Sequence, residues 1–183
     1  MRQPQENYFI LTGGPGSGKS TVERELKAMG VTTVEEAARG IIQREVENGG
    51  DATPWGDTRA YSRLMLEHAL HDFDSHKTER GTVVFDRGIP DVLGYTRLIG
   101  LTGLASLEEA CRERRYNKRV FFFPPWKEIY ETDKERKQDW ETAERTYQVM
   151  LATYKELDYQ PEIVPCLPPK ERAQWIVRRL AQK

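Results

Sequence analysis

Eight consecutive residues have the types and spacing to hold a polyphosphate: Gly13-Gly14-Pro15-Gly16-Ser17-Gly18-Lys19-Ser20. They fit G-x-x-x-x-G-K-[ST]. In such a loop successive backbone N–H groups converge on one concavity that takes phosphate oxygens. Glycine suits the loop because the chain must adopt positive φ and approach the ligand closely. Lys19 is expected to reach the β- and γ-phosphates, and the Ser20 hydroxyl to ligate Mg²⁺. Thr21 completes the binding stretch, and the helix that follows adds its positive N-terminal dipole end.

Three further groups could act on what the loop binds. Asp86-Arg87 follows an apolar run, Thr82-Val83-Val84-Phe85. A carboxylate there can hold Mg²⁺, directly or through water, or take a proton from an acceptor hydroxyl. Arg87 offers a planar fork for phosphate. The bland alternative is a surface turn with an ion pair. Glu36 and Arg39 lie three apart, which on a helix puts them on one face. They read as a carboxylate base or substrate ligand beside a substrate-orienting arginine, or simply as a helix-start carboxylate with a local partner. Lys134, Arg136, Lys137 and Arg145 form a basic segment that could close over a nucleotide. Its alternative is a solvated helix with i,i+4 pairs Asp133–Lys137 and Glu141–Arg145. Trp55 and Trp126 could stack on a base or pack at a rim. His68 and His71 lack further metal ligands nearby in sequence, and Cys111 and Cys166 read as ordinary buried thiols.

The elements that must position these groups alternate. Tyr8–Thr12 reads as a strand, 20–29 as a helix with Val22, Leu26 and Met29 at helical spacing, and Val31–Val34 as a β-branched second strand. Helices are expected over 35–48, 58–79, 90–99, 107–116, most of 127–157 and 170–180. Residues 82–85 and 119–123 read as buried parallel strands, and 162–165 as an edge strand because it carries proline. Alternating strands and helices imply a doubly wound α/β sheet with right-handed crossovers. Ligands then sit at the carboxyl ends of the strands, where Gly13, Glu36 and Asp86 all fall.

The 183 residues suit one domain, with 28 basic against 29 acidic side chains and a net charge of −1. That balance gives no electrostatic case for a nucleic-acid or membrane partner. No apolar run approaches a membrane span, the N-terminus lacks the apolar segment of a signal peptide, and the two cysteines fit a reduced compartment. A cytoplasmic location is the expectation.

Several phosphate-loop classes are excluded by what is missing. Asn117-Lys118 continues as Arg119-Val120, which fails the guanine signature N-K-x-D; there is no LSGGQ-like segment, and the third strand does not end in Asp-Glu. The segment Val83-Val84-Phe85-Asp86-Arg87-Gly88-Ile89-Pro90-Asp91-Val92-Leu93-Gly94-Tyr95 resembles the Asp-Arg region of thymidylate kinases. Glu36-Ala37-Ala38-Arg39 resembles a segment of bacterial nicotinamide-riboside kinase domains. The chain as a whole is most similar to small AAA-family ATPases grouped with those domains, through Pro124-Pro125-Trp126, Tyr130, Asp133-x-Glu135-Arg136 and an arginine near Arg172.

The resemblance implies a P-loop NTPase sandwich of three αβα layers, a five-stranded parallel sheet of order 2-3-1-4-5, and a helical lid over about 124–145. It implies ATP with Mg²⁺ as donor, Arg136 as the lid arginine, Glu36 as acceptor ligand or base, and Arg87 on the acceptor side. The Glu-Pro-Gly segment of thymidylate kinases is missing after the second strand, which argues against a thymidylate acceptor. The reading is an ATP-dependent small-molecule kinase acting on a nucleoside-, nucleotide- or cofactor-precursor-like acceptor. Lys19, Asp86, Arg136 and Glu36 are then catalytic, Gly13 to Thr21 bind ATP, and Glu36, Arg39 and Arg87 bind the acceptor. Ser20 and Asp86 hold Mg²⁺, and either Glu36 or Asp86 is the base. The alternative is a nucleotide-dependent regulatory ATPase acting on a protein partner.

Overall fold

A computed structural model describes residues 3–129 and 140–182. Five strands form one parallel sheet: β1 (Tyr8–Gly13), β2 (Thr32–Val34), β3 (Val83–Asp86), β4 (Arg119–Phe123) and β5 (Gln160–Ile163). Their order is β2-β3-β1-β4-β5, as expected, with β1 between β3 and β4. The helices are α1 (Lys19–Ala28), α2 (Ala38–Glu47), α3 (Thr58–Ser75), α4 (Ile89–Leu98), α5 (Ala105–Glu113), α6 (Trp140–Glu156) and α7 (Pro169–Leu180), with a 3₁₀ turn over Lys127–Ile129.

β1 is buried along its whole length, and its side chains feed two cores by alternation. Tyr8 and Ile10 join Phe73 of α3, Val92 and Leu93 of α4, Cys111 of α5 and Met150 and Tyr154 of α6. Phe9 and Leu11 join Val22 and Leu26 of α1 and Ala173 and Ile176 of α7. The sheet is therefore covered on both faces, which is why β1, β3 and β4 read as unbroken apolar runs.

Three local expectations are corrected. Helix α2 starts at Ala38, so Glu35 and Glu36 precede it instead of opening it. Glu36 therefore does not share a helix face with Arg39; the second strand's end must turn before the helix can begin. The fifth strand starts at Gln160 and carries Pro161 rather than Pro165. It lies at the sheet edge beside β4, where a missing N–H is tolerated. Cys166 is exposed, whereas Cys111 is buried as expected.

Candidate active site

The loop between β1 and α1 is held from both sides. Gly13 has φ 152°, and a Cβ there would come within 2.5 Å of the Phe123 carbonyl oxygen of β4. Gly18, the N-cap of α1, has φ 81°, and a Cβ there would meet a guanidinium nitrogen of Arg172 at 2.8 Å. Side chains are excluded at both positions by conformation and by space. Ser17 is buried and its hydroxyl donates to the Gly14 carbonyl at 2.9 Å. Gly14 is buried against the Ala143 backbone of α6, Pro15 and Gly16 are half-buried in the turn, and Thr21 is half-buried on α1.

Lys19 and Ser20 open α1. Lys19 is buried, with its Nζ 3.6 Å from Asp86 Oδ1 at the end of β3. That separation is an ion pair too long for a hydrogen bond. Asp86 Oδ1 is buried and accepts no hydrogen bond among the described residues. Burial raises the Asp86 pKa most, and Lys19 and Arg87 offset only part of that. An orphaned, buried carboxylate oxygen is a donor of the kind a hard cation takes, and Ser20, next to Lys19 at the start of α1, is exposed. Among the described residues no three His, Cys, Asp or Glu side chains cluster around one point. Mg²⁺ takes one or two protein ligands and completes its shell with phosphates and water, and Asp86 and Ser20 are the residues that would supply them.

The next residue, Arg87, has φ 73°, uncommon for a side chain this large. Its guanidinium reaches the turn after β2 and the first turn of α4. Nε donates to Glu36 Oε1 at 2.7 Å, and Nη1 donates to Asp91 Oδ1 at 3.3 Å. Burial works against the Arg87 charge, but Glu36, Asp91 and Asp86 outweigh it and raise its pKa. Glu36 is half-buried in the turn after β2. Burial opposes its ionisation most, yet Arg87, Lys19 and Arg39 together hold its pKa below the ordinary value. Arg39 is exposed on α2 and does not line the cavity beside Glu36.

Beside the loop opens a cavity of about 420 Å³. Its lining includes Pro15 of the loop, Glu36, Arg87 and Asp91, the aromatic and apolar side chains Tyr61, Met65 and Tyr95, and Arg145 of α6. A smaller hollow of about 30 Å³ shares Glu36, Arg87 and Asp91 and reaches Asp86. The structure thus brings Lys19, Asp86, Glu36 and Arg87 together around the loop's open side. Arg136, Lys134 and Lys137, with most of the expected lid, lie outside the described residues. Among the described residues no ion pair joins Glu141 to Arg145, and both are exposed.

Sequence reasoning assigned no role to two residues that organise this site. Asp91, at the third position of α4, is 3 % exposed and collects four donors. The Gly88 N–H donates at 2.8 Å, Tyr154 Oη at 2.5 Å, Arg87 at 3.3 Å, and Thr12 Oγ1 also donates to it. An acidic residue three positions after a glycine at the start of a helix was the available signal. Arg172, at 1 % exposure, donates to the Ser17 carbonyl at 2.9 Å. Its guanidinium lies 4.6 Å from the Phe123 ring centre and 5.7 Å from that of Trp126. Burial lowers its pKa. Trp126 therefore packs at the loop's back, while Trp55 is 72 % exposed.

Comparison with solved structures places this arrangement among known folds. A deoxyadenosine kinase from M. mycoides with bound dATP matches at TM-score 0.60 and 15% identity, over 96% of this chain and 100% of that one. The same enzyme with the products dCMP and dCDP matches at 0.58 and 15%, over 94% and 97%. A thymidylate kinase from Ehrlichia chaffeensis matches at 0.66 and 12%, over 98% and 100%. At these identities the likeness is one of fold. No curated protein sequence matches the chain significantly. The model of a family described as an AAA domain matches residues 8–172. The chain, with its phosphate loop set in a 2-3-1-4-5 parallel sheet, belongs to that AAA-domain family.

Proposed function

We propose that the chain is an ATP-dependent kinase that transfers the γ-phosphoryl group to a nucleoside-, nucleotide- or cofactor-precursor-like acceptor. The observation that carries this reading is the open cavity of about 420 Å³ on the loop's acceptor side, walled by Glu36, Arg87, Tyr61 and Tyr95. A switch acting on a protein partner needs no such space and predicts packed side chains there. The fold likeness to two nucleoside and nucleotide kinases supports the same choice.

In this reading the Gly13–Ser20 backbone cradles the triphosphate, and Lys19 moves from Asp86 toward the β- and γ-phosphates. Ser20 and Asp86 are the residues that would hold Mg²⁺. When bound, Mg²⁺ neutralises charge on the phosphate oxygens. An acceptor oxygen forms a bond to the γ-phosphorus while the bond to the β,γ-bridging oxygen breaks, and ADP leaves with that electron pair. Glu36 lines the cavity, whereas Asp86 faces Lys19, so Glu36 is the better-placed proton acceptor. Excluding water from the cavity keeps hydrolysis from competing. Arg136 is assigned the lid role by resemblance alone.

ADP release is to be measured with a panel of nucleosides, nucleotides and cofactor precursors. A kinase raises release above the basal rate with at least one acceptor, and Lys19→Ala abolishes it. If no acceptor raises it, or Lys19→Ala turns over normally, the proposal fails.

A further inference from the structure

Among the described residues two cations are buried at the phosphate loop, and only one of them has a carboxylate. Lys19, at the start of α1, faces Asp86 at 3.6 Å. Arg172, in the first turn of α7, is almost wholly buried and has no ion pair among the described residues. Its Nε is also buried without a hydrogen-bond partner among them. An unpaired buried cation is costly, and the faces of Phe123 and Trp126 beside it offset only part of that cost. The chain nevertheless holds it in place. Its neighbours on α7, Ala173 and Ile176, are buried against Val22 and Leu26 of α1, so the guanidinium reaches the loop from a fixed base.

Peptide geometry fixes what the guanidinium does there. Nη2 donates to the Ser17 carbonyl at 2.9 Å, and Nη1 lies close enough to Gly18 to exclude a Cβ. The Ser17–Gly18 peptide is planar and trans, so its C=O and N–H point to opposite sides. With the carbonyl turned back to Arg172, the Gly18 N–H is turned away from it. That N–H donates to no protein acceptor among the described residues. We infer that Arg172 is a positioning residue for the donor's phosphates: it holds the Ser17 carbonyl from behind and so presents the Gly18 N–H to a phosphate oxygen, and the bound polyanion is the partner its buried charge lacks. Cation and phosphate meet across one peptide unit without touching. The effect is mutual, because a carbonyl that accepts from a cation polarises the N–H of its own peptide toward an anion.

Arg172 can act in this way only if the loop binds a nucleotide polyphosphate, as proposed above, and the wild type tests that separately. Binding of ATP and of inorganic tripolyphosphate, each with Mg²⁺, is to be measured by calorimetry on the wild type, Arg172→Met and Arg172→Lys. Methionine keeps the packing against Phe123 and Trp126 without donor or charge, whereas lysine keeps a donor and the charge. A hydrogen bond set by a charged group is worth about tenfold or more in affinity. Arg172→Met should therefore bind ATP and tripolyphosphate each about tenfold more weakly, and Arg172→Lys should recover to within about threefold of the wild type. A loss for ATP with tripolyphosphate unchanged would place Arg172 at the base instead of the phosphates and overturn the proposal. Equal losses in both variants, or none in either, also overturn it and leave the loop's nucleotide binding standing. If the wild type binds neither ligand, both readings fail. The peptide itself supplies a readout that loose packing would not move. In protein carrying isotope-labelled glycine, the Gly18 amide proton signal should shift downfield when ATP is added to the wild type, and about half as far or less in Arg172→Met. A full shift in Arg172→Met overturns the orienting role whatever the affinities.

Discussion

Replacing Asp91 by Ala tests whether the site's geometry and the protein's stability share one carboxylate. Asp91 ties Thr12 at the end of β1, Gly88 and Arg87 at the β3–α4 turn, and Tyr154 on α6. Truncation leaves the Thr12 and Tyr154 hydroxyls and the Gly88 N–H inside the protein without their acceptor. Each orphaned buried donor costs about 1–3 kcal/mol, and partial relaxation brings three of them to about 3–6 kcal/mol. Arg87 keeps Glu36, so its charge is not stranded. Against a total stability of about 5–15 kcal/mol this is a large fraction. For a chain of this length it lowers Tm by about 2–4 °C per kcal/mol, or about 6–24 °C in all. Urea unfolding followed by circular dichroism should show the midpoint falling with the slope unchanged. Tyr154→Phe alone should cost about 1.5–3 kcal/mol, the worth of one hydrogen bond to a charged group. The double variant should then be less destabilised than the sum, by about 1–3 kcal/mol, because the orphaned phenol is gone. A loss under about 1 kcal/mol for Asp91→Ala, or strict additivity in the double variant, would refute the assignment of Asp91 as the shared acceptor.

Other consequences can be measured directly. Glu36 has its pKa lowered below the ordinary 4.5, so it stays charged at neutral pH; kcat/KM should hold as pH falls from 7 to about 5 and drop only below the usual carboxylate range. The sign is the same for stability: a depressed pKa contributes above the unfolded-state value and is lost as pH falls through the folded one. An acid limb near pH 6 or above would show that another group is the base. Arg172→Met removes the donor to the Ser17 carbonyl and the cation over Phe123, but also a buried charge with no carboxylate partner among the described residues, so apo stability should change little. ATP affinity by calorimetry should fall about tenfold, and a large Tm loss with unchanged affinity would make Arg172 merely structural. Cys166 is exposed, while burial pushes the Cys111 thiol up to about 12. A thiol reagent at pH 8 should therefore modify one equivalent in the native protein and the second only after unfolding.

The phosphate loop, the alternation of strands and helices and the residue types at the strand ends were legible in the chain. Each is a local property: Gly13 to Ser20 is contiguous, and buried parallel strands announce themselves as apolar runs such as Val83–Phe85. The strand order came through resemblance to proteins with the same motif spacing, and the sheet agrees with it. What the sequence could not locate is made by contacts far apart along it. Tyr154 reaches Asp91 across 63 positions, Thr12 reaches it across 79, and Arg172 reaches the loop across 155. No spacing rule links residues so distant; only packing of α4, α6 and α7 on the sheet brings them together. The same holds for the pairing of Arg87 with Glu36 and Asp91. From the motif Arg87 could offer its fork to phosphate or sit in an ion pair at the turn, and the tertiary structure pairs it with two carboxylates. The chain's local chemistry thus lays out the phosphate loop, while the long-range packing decides which side chains stand around the cavity beside it.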